Sequence, residues 1–260
     1  MPPKDVIAEE MVSRLLYRDG LMLVIDKPTG IAVHRGPKGG ECLEDYFDAL
    51  RFGLPRRPAL AHRLDRDTSG CLVLGRHHKA LAQLGKLFKS GGVGKTYWAV
   101  VEGGPVDDEG QIELPLGRLD ASRGWWMKHD PAGQPAVTKW KVMGRAFFPP
   151  PCGEGNFTWL GLEPVTGRTH QLRVHCAAMG WPIRGDAIYG TASRQDAPKD
   201  SVILHLHARE VIVPLYKNRA PIGVVAPVPA HMRAALTQCG WVGEEAAETI
   251  LPRQTGPEQS

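Results

Sequence analysis

Short aliphatic runs closed by turn residues alternate along the chain with stretches whose apolar positions recur every three or four residues. Leu21-Met22-Leu23-Val24-Ile25, ending in Asp26-Lys27-Pro28-Thr29-Gly30, predicts a buried strand over 21–26 that enters a turn. Leu43, Phe47 and Leu50 stand at helical spacing between Glu41 and Phe52, and Pro55 and Pro58 break the pattern. Cys71-Leu72-Val73-Leu74, between Gly70 and Gly75, predicts a second buried strand, followed by a helix carrying Ala80, Leu81, Leu84, Leu87 and Phe88. Thr96-Tyr97-Trp98-Ala99-Val100-Val101 is rich in β-formers, and further strands are expected at 111–114, 124–128, 136–143 and 157–163. The breaker cluster 147–156 between the last two reads as a surface loop rather than a domain linker. Thr169 is placed to cap a helix running to about Met179 with Gly180 as its stop, strand character resumes over 202–213, and a terminal helix follows Pro229 over 230–236. Scattered helices around a strand-rich middle, without regular βαβ alternation, predict an α+β fold with a large mixed or antiparallel sheet.

Composition narrows the class. A chain of 260 residues with 42% hydrophobic and 23% charged residues is an ordinary globular polypeptide, large enough for one α+β domain or two packed halves. No apolar run approaches the ~20 residues of a membrane span, and Met1-Pro2-Pro3-Lys4-Asp5 opens no signal segment, so neither insertion nor export is expected. Five cysteines form no Cys-x-x-Cys pair, which fits a reducing cytoplasm better than a disulfide framework. Residues 241–260 hold four Glu against one Arg, so the +4 overall becomes +7 on residues 1–240. A basic domain over 12–240 with an acidic, flexible tail over 241–260 points towards a polyanionic partner such as nucleic acid.

Several familiar patterns fail on inspection. Gly92-Val93-Gly94-Lys95-Thr96 resembles the end of a phosphate-binding loop, but the required earlier glycine is Lys89. His205-Leu206-His207 puts two imidazoles on one strand face, yet no ligand-spaced partners accompany them, so structural histidines are the default and no metal is expected. Two polar segments carry more. Ala61 to Gly70 precedes a buried strand and can project a carboxylate from a rigid edge; equally, it can be a turn in which Asp65 pairs with Arg63 or Arg66 at the surface. Leu162 to His175 opens a helix with two arginines and two histidines, either an anion site or a solvated basic face from which Leu172, Cys176 and Met179 pack inward.

His62-Arg63-Leu64-Asp65-Arg66-Asp67-Thr68-Ser69-Gly70 resembles the signature of the RluA family of pseudouridine synthases. Further matches fall in that family's order: Asp26-Lys27-Pro28-Thr29-Gly30 with His34, Lys95 to Val101, and Thr166-Gly167-Arg168-Thr169-His170-Gln171-Leu172-Arg173-Val174-His175 continuing to Gly185-Asp186 and Tyr189-Gly190. The resemblance spans about residues 14–235. It implies a mixed sheet of two related halves flanked by helices, with the site in a basic cleft. It also implies Asp65 as catalytic carboxylate, Tyr97 as the aromatic residue on the target base and Arg173 as the cation beside Asp65. Leu172 would line the pocket, and Arg63 would fill the space vacated by the target nucleotide. His62, Leu64, Arg66, Thr68, Arg168, His170 and Gln171 complete the implied substrate-binding set.

The implied reaction breaks the N1–C1′ bond of a uridine, turns the uracil and rejoins it through C5, with no atoms gained or lost and no cofactor. Asp65 would attack C1′ to form an ester or remove a sugar proton to give a glycal; the sequence leaves both open. A flipped-out nucleotide is required, and Tyr97 offers a face for its base. Only about twenty residues precede the first matched strand, which resembles the family's short form without an S4-type module. The expected partner is transfer RNA and/or large-subunit ribosomal RNA, met by a monomer. The competing classes are a non-catalytic RNA-binding protein that retains the cleft and a metal-dependent RNA hydrolase that uses the histidines.

Overall fold

A computed structural model describes residues 4–36, 39–120, 126–148, 155–190 and 202–243. In chain order they form α1 (Lys4–Ser13), β1 (Leu15–Arg18), β2 (Met22–Lys27), a 3-10 helix (Leu43–Leu50), β3 (Ala59–Leu60), β4 (Ser69–Gly75), α2 (His78–Lys89) and β5 (Gly94–Glu102). There follow β6 (Glu109–Glu113), β7 (Leu116–Arg118), β8 (Met127–His129), β9 (Val137–Phe148), β10 (Gly155–Pro164), α3 (Gln171–Ala178), β11 (Leu206–Val213), β12 (Ile222–Val225) and α4 (Ala230–Gln238).

The central sheet runs β1-β2-β4-β11-β5-β10-β9-β6, with β3 added to β4 and β12 to β11, while β7 and β8 form a separate ribbon. Among the described residues the pairings are antiparallel except β4 with β11, where His207 lies opposite Ser69 and Ala208 opposite Gly70. That parallel seam joins the two halves. The fold is thus α+β around a mixed, largely antiparallel sheet flanked by helices.

Both faces of the sheet are covered, which is why its central strands read as unbroken aliphatic runs. Alternate residues of β2 and β4 point to opposite sides: Leu23, Ile25, Leu72 and Leu74 meet the 3-10 helix through Leu43, Phe47 and Leu50. Met22, Val24, Cys71 and Val73 face Leu84 of α2 and the strands beyond it. In the second half, Ala99, Val101, Leu160 and Leu162 pack under Leu172 and Cys176 of α3, and Val100, Phe157 and Trp159 under Met232 and Leu236 of α4. Each fully buried Leu or Ile contributes about 2 kcal/mol, so the cores on either side of the seam hold their halves firmly.

Several expectations shift. The helix expected over 41–52 is a 3-10 helix of Leu43–Leu50, whose Leu43, Tyr46, Phe47 and Leu50 are buried. Helix α3 is not capped by Thr169: His170 occupies the N-cap in a left-handed conformation (φ 53°), with no side-chain cap bond. Nor is α3 a solvated basic face, because Arg173 and His175 are buried while Met179 is 47% exposed. The strand expected at 202–213 pairs only over Leu206–Val213, and that expected at 124–128 is β8, Met127–His129, with residues 121–125 outside the described chain. The loop expected over 147–156 is narrower than that: 147–148 and 155–156 continue β9 and β10, which pair from Phe148 and Gly155 onward, and residues 149–154 lie outside the described chain. Of the acidic tail, residues 244–260 lie outside the described chain, whereas Trp241 packs against the α4 cluster.

Gly70 sits on the seam with φ 104°, and a Cβ there would lie 2.3 Å from the Ala208 carbonyl oxygen of β11. Gly70→Ala is therefore expected to destabilise the protein by at least about 2 kcal/mol in urea denaturation. An unchanged midpoint would show that the seam tolerates separation.

Candidate functional site

The β3–β4 connection carries the segment 61–68 across the upper edge of the seam, and buried groups hold it there. Leu64 drops into the first core. Lys27, at the end of β2 and fully buried, donates hydrogen bonds to the carbonyl oxygens of Pro28 (2.8 Å), Arg66 (2.9 Å) and Thr68 (2.8 Å). Burial pulls its pKa from 10.5 down to about 7, resisted by Asp67, Asp65 and Asp26. The three carbonyls use all three N–H bonds of an ammonium, so the charged form is the one that fits. Thr29 Oγ1 donates to the Asp67 carbonyl, Gly30 N–H to that of Arg66, and Arg66 Nε returns a bond to Gly30. A turn closed by Thr68 N–H on the Asp65 carbonyl then presents the Asp65 side chain, 27% exposed, to the cleft.

Opposite it stands α3. Arg173 is 3% exposed and clasps Asp186 through Nε and Nη2, both at 2.7 Å. Burial opposes the charge on each partner; the mutual pairing overrides it, raising the Arg173 pKa and lowering that of Asp186, whose Oδ1 also accepts from the Ile188 and Tyr189 amides. The remaining nitrogen, Nη1, lies 3.7 Å from Asp65 Oδ2. His170 Nε2 is also 3.7 Å from that oxygen, and its Nδ1 is 2.8 Å from the Tyr189 hydroxyl. Burial lowers the His170 pKa despite Asp65, so the ring is neutral near pH 7.

Tyr97 on β5 packs against both cores at the seam. Burial, reinforced by Asp65, raises its pKa, so it presents a neutral phenol. The cleft between these elements has a volume of about 360 Å³, within the usual range of small-molecule sites. It gathers every residue expected from the sequence except Arg66, which is exposed beside Gly30 and Asp67. Asp65 does not pair with Arg63 or Arg66: Arg63 Nη2 reaches across the cleft to Thr169 Oγ1 at 2.6 Å. Two cleft residues spend their polar atoms on the fold. His62 stacks on Phe88 and accepts the Val73 amide through Nε2, its pKa lowered to about 3 by burial. Gln171 bonds Thr138 and the Val137 carbonyl while accepting from Thr166 and the Arg168 amide.

Sequence reasoning gave no role to Lys27, Asp186 or Tyr189, nor to the lining cations Lys89 and Lys95. Lys95 carried a usable signal, since it precedes Tyr97 by two residues on one strand and shares its face. His205 and His207 are structural here: His205 Nδ1 meets the Ile203 carbonyl and His207 Nδ1 meets Ser69 Oγ. Among the described residues no cluster of three or more His, Cys, Asp or Glu is placed to hold a metal ion.

A model of the RNA pseudouridylate synthase family matches residues 21–178, a span that includes Lys27, Asp65, Tyr97 and Arg173. The chain belongs to this family. An uncharacterised RNA pseudouridine synthase of Zymomonas mobilis is 40% identical over 84% of this chain and 95% of its own. The tRNA pseudouridine synthase C of Pectobacterium carotovorum is 31% identical over 99% of this chain and 68% of its own. The solved structure of human RNA pseudouridylate synthase domain containing 4 superposes with a TM-score of 0.73 at 27% identity, covering 91% of this chain and 96% of that one. The protein is accordingly an RNA pseudouridine synthase, an isomerase, and the two halves of its sheet carry the family's fold. No described helix is long and apolar enough to cross a membrane.

In this synthase Asp186 is the counter-charge that fixes Arg173. Because its pKa is lowered, its stabilisation is complete above the unfolded value near ~3.9 and is lost as pH falls through the folded one. Asp186→Asn is expected to cost about 3–5 kcal/mol at pH 7 by leaving the guanidinium unpaired, a gap from wild type that narrows only below pH ~4. Urea unfolding of both proteins across that range checks this; equal stability at pH 7 would contradict it.

Proposed function

We propose that this synthase isomerises a specific uridine in transfer RNA and/or large-subunit ribosomal RNA, with the Asp65 carboxylate as the reacting group. The observation that carries the reading is the charge arrangement of the cleft. Asp65 is its one lining carboxylate among the described residues, and Arg63, Lys89, Lys95, Arg168 and Arg173 line it as well. Rim cations of this kind engage phosphates and place the strand without reading much sequence, so affinity falls as salt rises.

A stacked uridine must leave its helix before C1′ reaches Asp65, and unstacking costs a few kcal/mol that an aromatic face partly returns. Tyr97 supplies that face beside Asp65, with Leu172 closing the apolar wall. Its raised pKa makes it a protonated surface for the base rather than a phenolate. Arg63 would leave Thr169 and occupy the gap in the RNA. From this position Asp65 either adds to C1′, breaking the N1–C1′ bond to give an ester that the turned uracil displaces through C5, or takes the C2′ proton as uracil leaves, giving a glycal that C5 attacks as that proton is returned to C2′; on both routes C5 then gives up its proton and N1 gains one, so that no atom is lost. Both routes need an unencumbered carboxylate next to a fixed cation, and Arg173 Nη1 is that cation.

Support for a transfer RNA substrate comes from the Pectobacterium relative, whose name specifies tRNA. Support for a reducing compartment, the cytoplasm, comes from the free, buried cysteines Cys42, Cys71, Cys176 and Cys239.

A carbodiimide map of pseudouridine in tRNA and rRNA, from cells with and without the gene and complemented by wild type or Asp65→Asn, tests both parts. A site lost on deletion and restored by wild type alone, with Asp65→Asn binding RNA at near wild-type affinity, is the expected outcome. Restoration by Asp65→Asn would remove Asp65 from the chemistry.

A further inference from the structure

From Thr68 to Val101 the chain holds no Asp or Glu, yet it holds Arg76, Lys79, Lys86, Lys89 and Lys95. Lys89 and Lys95 line the cleft. Lys79, Lys86 and Lys89 belong to α2, and all three are exposed. At about 100° per residue they fall within an arc of about 80°, on the side of the helix turned away from the buried Ala80 and Leu84. The rise from Lys79 to Lys89 is about 15 Å, and it ends at the cleft.

Ordinary helix electrostatics accounts for part of this pattern. Lys86 and Lys89 stand in the last turn, where the helix dipole favours a cation. Lys79 stands in the first turn, where the dipole opposes one, and no acidic residue is there to balance it. Among the described residues none of the three lysines forms a salt bridge. The exposed lysines of β9 differ: Lys139 lies opposite Glu163 of β10, and Lys141 opposite Glu109 of β6. The positive surface also continues past the helix. Gln83 Nε2 donates to the Leu215 carbonyl and so pins the turn after β11 to the middle of α2. That turn exposes Lys217 and Arg219 and has no Asp or Glu between Pro214 and Pro221. The carboxylate that meets it, Asp19, is occupied by the Tyr17 and Tyr216 hydroxyls and the Leu21 and Met22 amides.

We propose that the outer face of α2 is a phosphate track, on which Lys79, Lys86 and Lys89 hold the backbone of the RNA strand that runs out of the cleft beside the target uridine. The proposal rests on that uridine entering the cleft. Lys89 belongs to both the helix face and the cleft, so the track begins where the reacting nucleotide is held. Its length matches about four phosphates of a stacked strand at about 3.4 Å each. The residues between the lysines, Ala82 and Gln83, are small or polar, so the face lacks the apolar anchors that a protein or lipid partner would bury. Contacts of this kind add affinity without reading bases.

The test uses the full chain with two probes, unfractionated transfer RNA and large-subunit ribosomal RNA from cells lacking the gene. Affinity is measured across a series of KCl concentrations for wild type, Lys79→Gln/Lys86→Gln and Lys139→Gln/Lys141→Gln. Loss of two phosphate contacts is expected to make the plot of log K against log salt shallower by about 1.4–1.8 for the α2 variant, and to weaken binding roughly 10-fold at low salt. KM rises in step while kcat at saturating RNA holds, and the β9 variant matches wild type. Acetylation of wild-type lysines, read by mass spectrometry, is expected to show Lys79 and Lys86 protected by bound RNA, with Lys139 and Lys141 still reactive. RNA bound with Lys79 and Lys86 unprotected overturns the track even if the variant fails to fold, and so does an unchanged salt slope. Protection by phosphatidylserine vesicles but by neither RNA would also overturn it, in favour of a membrane face. Isomerisation that survives Asp65→Asn would instead overturn the role of Asp65, while the track is decided by binding and protection alone.

Discussion

One buried ammonium ties the loop that carries Asp65 to the sheet. Lys27 ends β2 with no exposed surface and gives its three N–H bonds to the carbonyls of Arg66 and Thr68, just after Asp65, and of Pro28 at its own turn. An unpaired charge at that depth would cost several kcal/mol, so the loop has little choice but to bring its carbonyls to Lys27. The turn that results aims Asp65 into the cleft, while Leu64 anchors the same loop in the core. A flexible surface loop could carry the same aspartate, but it could not keep it at a fixed distance from Arg173.

The second constraint is the parallel seam between β4 and β11. It brings the end of β2, the loop before β4 and the face of β5 to one line, and Tyr97 lies on that line against the cores of both halves. Across the cleft, α3 is fixed by Gln171 and His175 to β9 and by Arg173 to Asp186. The carboxylate and its cation thus sit on separate, independently packed elements. Their 3.7 Å spacing is set by the two cores rather than by a tight ion pair that substrate would have to break.

Much of this was legible in the sequence. The aliphatic runs at β2, β4 and β5 announce central strands because a sheet covered on both faces leaves no polar alternation to obscure them. The loop residues 62–70 and the segment 166–175 stood out because polar groups crowd next to buried strands. What stayed hidden depends on distance in the chain. Asp186 is an ordinary acidic residue until Arg173 is folded against it, and Tyr189 reads as a loop aromatic until its hydroxyl meets His170. Lys27 looks like a surface lysine in a turn, because nothing local shows that three carbonyls will surround it. Helix α1 escaped because Met11 is its one described side chain that is buried, too few for a period. The 3-10 helix kept the apolar spacing of an α-helix and so was placed correctly with the wrong pitch.

The most direct measurement is a crystal structure of Asp65→Asn bound to the RNA named by the pseudouridine map. The expected result is a uridine flipped out of its stack, with C1′ about 3–3.5 Å from the residue 65 side chain and the uracil lying on Tyr97. RNA ordered on another face, with the cleft between the β3–β4 loop and α3 left empty, would contradict the account.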